Sequence, residues 1–269
     1  MIRRFLIHPE SAPALALLGG FFGAVAIGLT ALGNPASTGL CASCFLVNAA
    51  SYIAVLIGLR MMHAGQLRSA PLVARASGQL REGFRYVRST PVLRNVLLMM
   101  AIIGTLSYEF QVILPLFAQF TLRGGAGTYA ALTVAMGVGS VIGGLYTASR
   151  EAVVPGMLIS AAFLFGVVIL AAAIAPNLAF AMAALVLVGV FSINFLSLGN
   201  TTLQLQSVPD MRGRVMALWT VAFLGSTPIG GPIIGWIGEY AGPRWGLAVG
   251  GLAALTAGTL GLRNLGMFP

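Results

Sequence analysis

Residues 96–117 read VLLMMAIIGTLSYEFQVILPLF, a stretch with a single charged side chain, Glu109. A hydrocarbon core of about 30 Å takes about 20 residues of helix to cross, so this stretch is long enough to span a bilayer. It is apolar on all sides, whereas a helix of a soluble domain carries one apolar stripe. Inside lipid every backbone N–H and C=O must be paired within the protein, which leaves helices or a closed barrel. Barrel strands alternate polar and apolar residues over about 10 positions. Nothing in 96–117 alternates, so the segment is read as a transmembrane helix.

Seven further stretches of the same kind lie around it: Ala14–Gly33, Cys41–Leu59, Tyr129–Ala148, Val153–Ile174, Leu178–Gly199, Val215–Ile237 and Trp245–Leu262. The expected fold is therefore all-α, a polytopic membrane bundle of about eight transmembrane helices. Composition agrees. The chain is 58% hydrophobic and only 8% charged, against roughly 25% charged in soluble domains. Three parts are expected: residues 1–60 with two spans, a polar linker at 61–94, and a six-span block at 95–269.

All basic residues are arginines, and they sort by side. Cytoplasmic loops of membrane proteins carry the excess of positive charge. With the N-terminus inside, Arg3, Arg4, Arg60, Arg68, Arg75, Arg81, Arg85, Arg88, Arg94, Arg150, Arg212, Arg214 and Arg263 all face the cytoplasm. Only Arg123 and Arg244 face outward. This bias predicts a multi-pass protein of the cell (inner) membrane with both termini cytoplasmic. It also accounts for the net charge of +9 without nucleic acid, because the arginines are dispersed among lipid-compatible segments rather than gathered into a basic face.

Within the linker, Leu80, Phe84 and Val87 recur at helical spacing, and Arg81, Arg85 and Arg88 follow one position on. This pattern predicts an amphipathic helix in the membrane interface, apolar side down and arginines toward lipid phosphates. Docking on helix ends of the same protein and a merely solvated linker are the alternatives. Pro91 should end the helix near Thr90, since the residue before a proline avoids the helical conformation.

No enzymatic machinery is visible. Without Lys there is no phosphate-binding Walker A loop. His8 and His63 are isolated, and Cys41 and Cys44 form a lone C-x-x-C without the further ligands that zinc wants. Neither a metal nor a cofactor is expected. The candidates for chemistry are polar residues inside the spans. A carboxylate in a bilayer is costly and turns to a cavity or a partner. Glu109, flanked by Tyr108 and Gln111, is thus a candidate for proton coupling or substrate contact. The alternative is a Glu solvated from the outer end of its helix, although counting back from Gln119 puts it about 15 Å deep at 1.5 Å per residue. Asn194, Ser197, Thr201 and Gln204 step by three and four along one helix face. They either line an aqueous path or bond to neighbouring helices. Gly139 and Gly143 form G-x-x-x-G, which lets backbones approach. Pro115, Pro228 and Pro232 are candidate kinks.

The run Cys44-Phe-Leu-Val-Asn-Ala-Ala-Ser-Tyr52 resembles the sixth helix of the major facilitator superfamily, in the branch that includes the enterobactin exporter and related drug-efflux proteins. Leu80-Arg-Glu-Gly-Phe-Arg-Tyr-Val-Arg88 with Thr90-Pro-Val-Leu-Arg94 resembles that branch's central cytoplasmic loop. Phe110-Gln-Val-Ile-Leu-Pro-Leu-Phe-Ala118 resembles its seventh helix. Val208-Pro-Asp-Met-Arg-Gly-Arg-Val-Met216 resembles its loop between helices ten and eleven. The order and spacing match throughout. Such transporters have twelve helices in two halves, and this chain is similar to the last eight, so the resemblance implies that the first four are missing from it.

The resemblance implies a secondary transporter that exports small amphiphilic molecules of drug or siderophore type, driven by protons, through alternating access near the midplane. Asp210, Arg212 and Arg214 would then lie at a cytoplasmic gate, with plain positive-inside charge as the other reading. The partners implied are the lipid bilayer and a small-molecule substrate. A different class of function stays open beside it: a non-transporting remnant or membrane scaffold, or a half-transporter whose missing helices come from a partner chain.

Overall fold

The computed structural model describes residues 78–150 and 155–263. The two spans expected at Ala14–Gly33 and Cys41–Leu59, the C-x-x-C at Cys41 and Cys44, and the first part of the linker lie outside the described residues. Among the described residues all regular structure is helical, and six segments are long and apolar enough to cross a membrane.

The elements run in order as α1 (Gln79–Ser89), α2 (Pro91–Leu106), α3 (Phe110–Leu116), a π-helical turn (Phe117–Thr121), α4 (Ala126–Ala148), α5 (Pro155–Ala173), α6 (Leu178–Gln206), α7 (Pro209–Phe223), α8 (Thr227–Tyr240) and α9 (Pro243–Arg263). Local chemistry sets several boundaries. Thr90 is extended ahead of Pro91, which ends α1 and starts α2. Asn177 caps α6 by accepting from the Phe180 N–H at 2.9 Å. Gly242, at φ +102, takes the left-handed turn between α8 and α9, and Pro243 then opens α9.

α1 is not a span, and two of the six spans are each made of more than one helix. The segment Pro91–Thr121 is one span made of two helices, broken at Ser107-Tyr108-Glu109. Pro209–Tyr240 is likewise one span, broken at Leu224-Gly225-Ser226.

Small residues set the packing. Lipid is as apolar as a leucine side chain, so helices associate by close contact rather than by hydrophobic burial. Gly139 and Gly143 of α4 lie against the carbonyls of Val186 and Val190 on α6. A Cβ added at these two positions would fall 1.8 Å and 2.5 Å from those oxygens. Gly189 of α6 answers from the other side, against the Met136 carbonyl. Gly166 of α5 and Gly251 of α9 meet in the same way. Around these contacts Met99, Met100, Ile103, Phe165 and Phe195 fill the interior.

α1 lies across the end of α7. Gly83 and Val87 are buried there, Gly83 against Arg214, and the Val208 N–H donates to the Tyr86 hydroxyl at 3.3 Å. Leu80 and Phe84 remain exposed, as do Arg81, Arg85 and Arg88. The helix therefore docks by its glycine side and leaves an apolar pair beside a row of arginines.

Candidate functional site

The two helix breaks face each other. Gly104 of α2 rests on Phe223, the last residue of α7, where a Cβ would fall 2.9 Å from the Phe223 carbonyl oxygen. One turn on, Gly230 of α8 rests on the Thr105 carbonyl, 1.8 Å from where its Cβ would be. The end of α2 is thus in backbone contact with the second span on both sides of that span's interruption.

Three consecutive side chains at the first break go to three different helices. Ser107 donates to the Gly250 carbonyl of α9 at 2.7 Å. Tyr108 donates to the Ser192 carbonyl of α6 at 2.6 Å. Its ring packs edge-on to Phe223, with centroids 4.8 Å apart, and tilts against Phe165 at 5.5 Å. Glu109 turns to α8, where Thr227 approaches the carboxyl and Gly230 and Gly231 leave room for it. Ideal Cβ atoms on these glycines would lie 3.0 and 3.5 Å from its two oxygens. The Glu109 backbone carbonyl accepts from Val112 and Ile113, both at 3.1 Å, and so begins α3.

Glu109 is 5% exposed, and its Oε1 has no hydrogen-bond partner. A buried polar atom without a partner is costly and asks for an explanation. A cavity of about 10 Å³ adjoins the break, lined by Ser107, Glu109, Phe110, Ile234 and Gly250 among others. That is about the room one water molecule needs. The break therefore carries a buried carboxyl, one oxygen of it unsatisfied, beside a cavity of one water's size.

The remaining candidates separate. Gln111 is exposed. Asn194 is buried, accepts from the Thr147 hydroxyl of α4 at 2.7 Å and donates to the Val190 carbonyl at 2.8 Å, so it ties α6 to α4. Ser197 and Thr201 are half-buried. Gln204 is exposed and donates to Asn200. Pro115 lies inside α3, two residues ahead of the π-helical turn. Pro228 falls in the first turn of α8, after the second break, and Pro232 sits inside α8. At the opposite end, Arg214 pairs with Glu82 of α1 at 2.9 Å. Asp210 and Arg212 are exposed and make no ion pair among the described residues. No cluster among the described residues has the composition of a metal site.

Several participants carried no signal in the sequence. Thr227, Gly230 and Gly231 stand in a Gly- and Pro-rich stretch that reads as a kink, not as a socket for a carboxylate. Ser107 and Ser192 are ordinary small residues until the fold sets them opposite their partners. Glu82 gives nothing away in an arginine-rich helix.

Two glycine-seated, interrupted spans thus meet inside a bundle of membrane-length helices. Residues 23–265 match the family model described as transmembrane secretion effector. The chain belongs to that family, within the major facilitator superfamily. The transmembrane secretion effector match takes in all six described spans and extends ahead of them. The fold is similar to that of a bacterial homologue of the human lysosomal transporter Spinster, crystallised inward-facing and unoccupied. The TM-score is 0.54 and the identity 16%, over 94% of this chain and 65% of that one. The chain thus spans about two-thirds of the length of that transporter. No curated protein matches the chain. Family and fold are those of multi-pass membrane transporters.

Proposed function

We propose that this protein is part or all of a secondary transporter that exports small amphiphilic molecules against a proton gradient, with Glu109 as the coupling carboxyl. The observation that carries the reading is the meeting of the two helix breaks at Glu109. Discontinuous helices are where membrane carriers place substrate and ion sites, because unpaired backbone is tolerated only beside a cavity or other protein. An intramembrane acid at that place is a functional candidate by default. Under this reading Glu109 takes a proton from one side and releases it to the other. The contact with Thr227, Gly230 and Gly231 is what its protonation state adjusts. Both termini lie in the cytoplasm, in the cell (inner) membrane. Drug-like or siderophore-like substrates follow from the resemblance of the motifs at Cys44–Tyr52 and Val208–Met216.

The test is transport in inverted vesicles holding the protein, with ethidium as the amphiphilic probe. An imposed pH gradient should move ethidium without ATP, and a protonophore should stop the movement. Ethidium movement indifferent to the gradient would remove the proton from the account. A scaffold or remnant would move nothing. A half-transporter completed by a partner chain would co-purify with that chain, and a monomer would count against it.

The Glu82–Arg214 pair serves, in this reading, as a latch between α1 and the start of α7, at the gate with Asp210 and Arg212. Its side chains are 52% and 21% exposed, so it contributes at most about 1 kcal/mol to stability. Arg214→Gln is expected to leave melting nearly unchanged while shifting the balance between inward- and outward-open states. Labelling from the two membrane faces reads that balance, and unchanged labelling would leave Arg214 as plain topogenic charge.

A further inference from the structure

At the end of the bundle opposite α1, the turn after the π-helix and the α8–α9 turn form the walls of a groove of about 390 Å³. Phe120, Thr121, Arg123, Gly242, Arg244 and Trp245 line it. We propose that this groove holds the phosphate of an anionic phospholipid headgroup.

The argument starts from charge. Arg123 and Arg244 are the only basic residues at this end among the described residues, and both open on the one groove. Arg244 donates one N–H to the Ala175 carbonyl at 2.8 Å, which fixes its side chain and leaves the rest of its fork free. Arg123 has no hydrogen bond or ion pair among the described residues. The acid at this end, Glu239, is exposed and pairs with neither arginine. Two guanidinium groups without an anion, one of them anchored, match the planar bidentate recognition of phosphate.

The backbone adds to this. Arg123 stands at φ +52, a left-handed position that glycine takes at no steric cost, although Gly124 and Gly125 follow directly. The turn therefore carries its guanidinium at a conformational cost.

The surroundings choose lipid over a soluble anion. Phe120 and Trp245 are each 62% exposed on the groove, and Trp236 and Tyr240 are exposed nearby on α8. Exposed aromatic rings at one end of a membrane bundle mark the headgroup level. A phospholipid gains from both the arginines and the rings, whereas inorganic phosphate gains from the arginines alone.

The full chain is reconstituted in phosphatidylcholine with and without phosphatidylglycerol, and the lipid retained on purification is counted by native mass spectrometry. Wild type should retain phosphatidylglycerol. Arg123→Gly removes guanidinium and backbone strain together, so it should melt no lower than wild type in phosphatidylcholine alone. Its phosphatidylglycerol retention should nevertheless fall about tenfold, the loss of a charge-assisted hydrogen bond. Arg123→Lys should recover part of that loss, and Arg150→Gln, at the other end, should lose none. Equal retention by wild type and Arg123→Gly would overturn the proposal. Displacement of the lipid by millimolar inorganic phosphate would assign the groove to a soluble anion and overturn it as well.

Discussion

Gly139→Ala is expected to lower the stability of the bundle by about 3 kcal/mol, the upper end of what overpacking costs. The new methyl would stand 1.8 Å from the Val186 carbonyl oxygen. The obstacle is backbone on a neighbouring helix, not the end of a flexible side chain, so it can yield only by moving α6 away from α4. That movement would also open the Gly189–Met136 contact and strain the Thr147–Asn194 hydrogen bond, because all three belong to the same helix pair. Gly137→Ala on the same helix is the control. Nothing lies within 4 Å of its Cβ, and alanine is the better helix former by about 0.5–1 kcal/mol, so that variant should melt at or slightly above wild type. Thermal unfolding in detergent checks both. Equal melting of the two variants would mean that α4 and α6 do not interlock through glycine.

The second large effect is on transport. Glu109→Gln should bring gradient-driven ethidium movement down to the level of protein-free vesicles, while insertion and melting stay close to wild type. Gln has nearly the volume of Glu and keeps its polar atoms, so it neither opens a cavity nor overpacks the site. The socket made by Thr227, Gly230 and Gly231 should accept it without rearrangement. What Gln lacks is a proton to bind and release. Loss of transport with a preserved fold would therefore isolate the titratable function from the packing. Normal ethidium movement by the variant would take Glu109 out of the mechanism.

The spans were legible because a bilayer demands long apolar runs and the chain supplies them. Pro91–Thr121 lies where the apolar stretch predicts with each end a few residues farther out, and Leu178–Gln206 starts at the expected residue and runs past the expected end at Gly199. The breaks were not legible. Neither Pro nor Gly stands at Ser107-Tyr108-Glu109. That interruption coincides with hydrogen bonds to α6 and α9, which no local pattern reports. In Pro209–Tyr240 the prolines drew the eye to the right region, but the helix breaks ahead of Pro228, and the proline restarts it. The periodicity of α1 was plain, yet its docked side could not be read. Gly83 makes that side by having no side chain, and a hydrophobic pattern does not register glycine as a contact. Of the candidate site, the presence of an intramembrane acid at Glu109 was visible from the start. Its partners on α8 were not, since they are distant in sequence and chosen for smallness.

The central claim is that the paired breaks form a site reached alternately from the two sides of the membrane. Gly231 offers a way to probe it, because an added Cβ there would lie at ordinary contact distance, 3.5 Å from Glu109. The measurement is alkylation of Gly231→Cys, in a chain whose Cys41 and Cys44 are replaced by Ala, with a membrane-impermeant maleimide added from one face at a time. The account predicts that each face reaches the thiol and that reversing the pH gradient exchanges which face labels faster. Labelling from a single face at a rate indifferent to the gradient, or from neither, would contradict it.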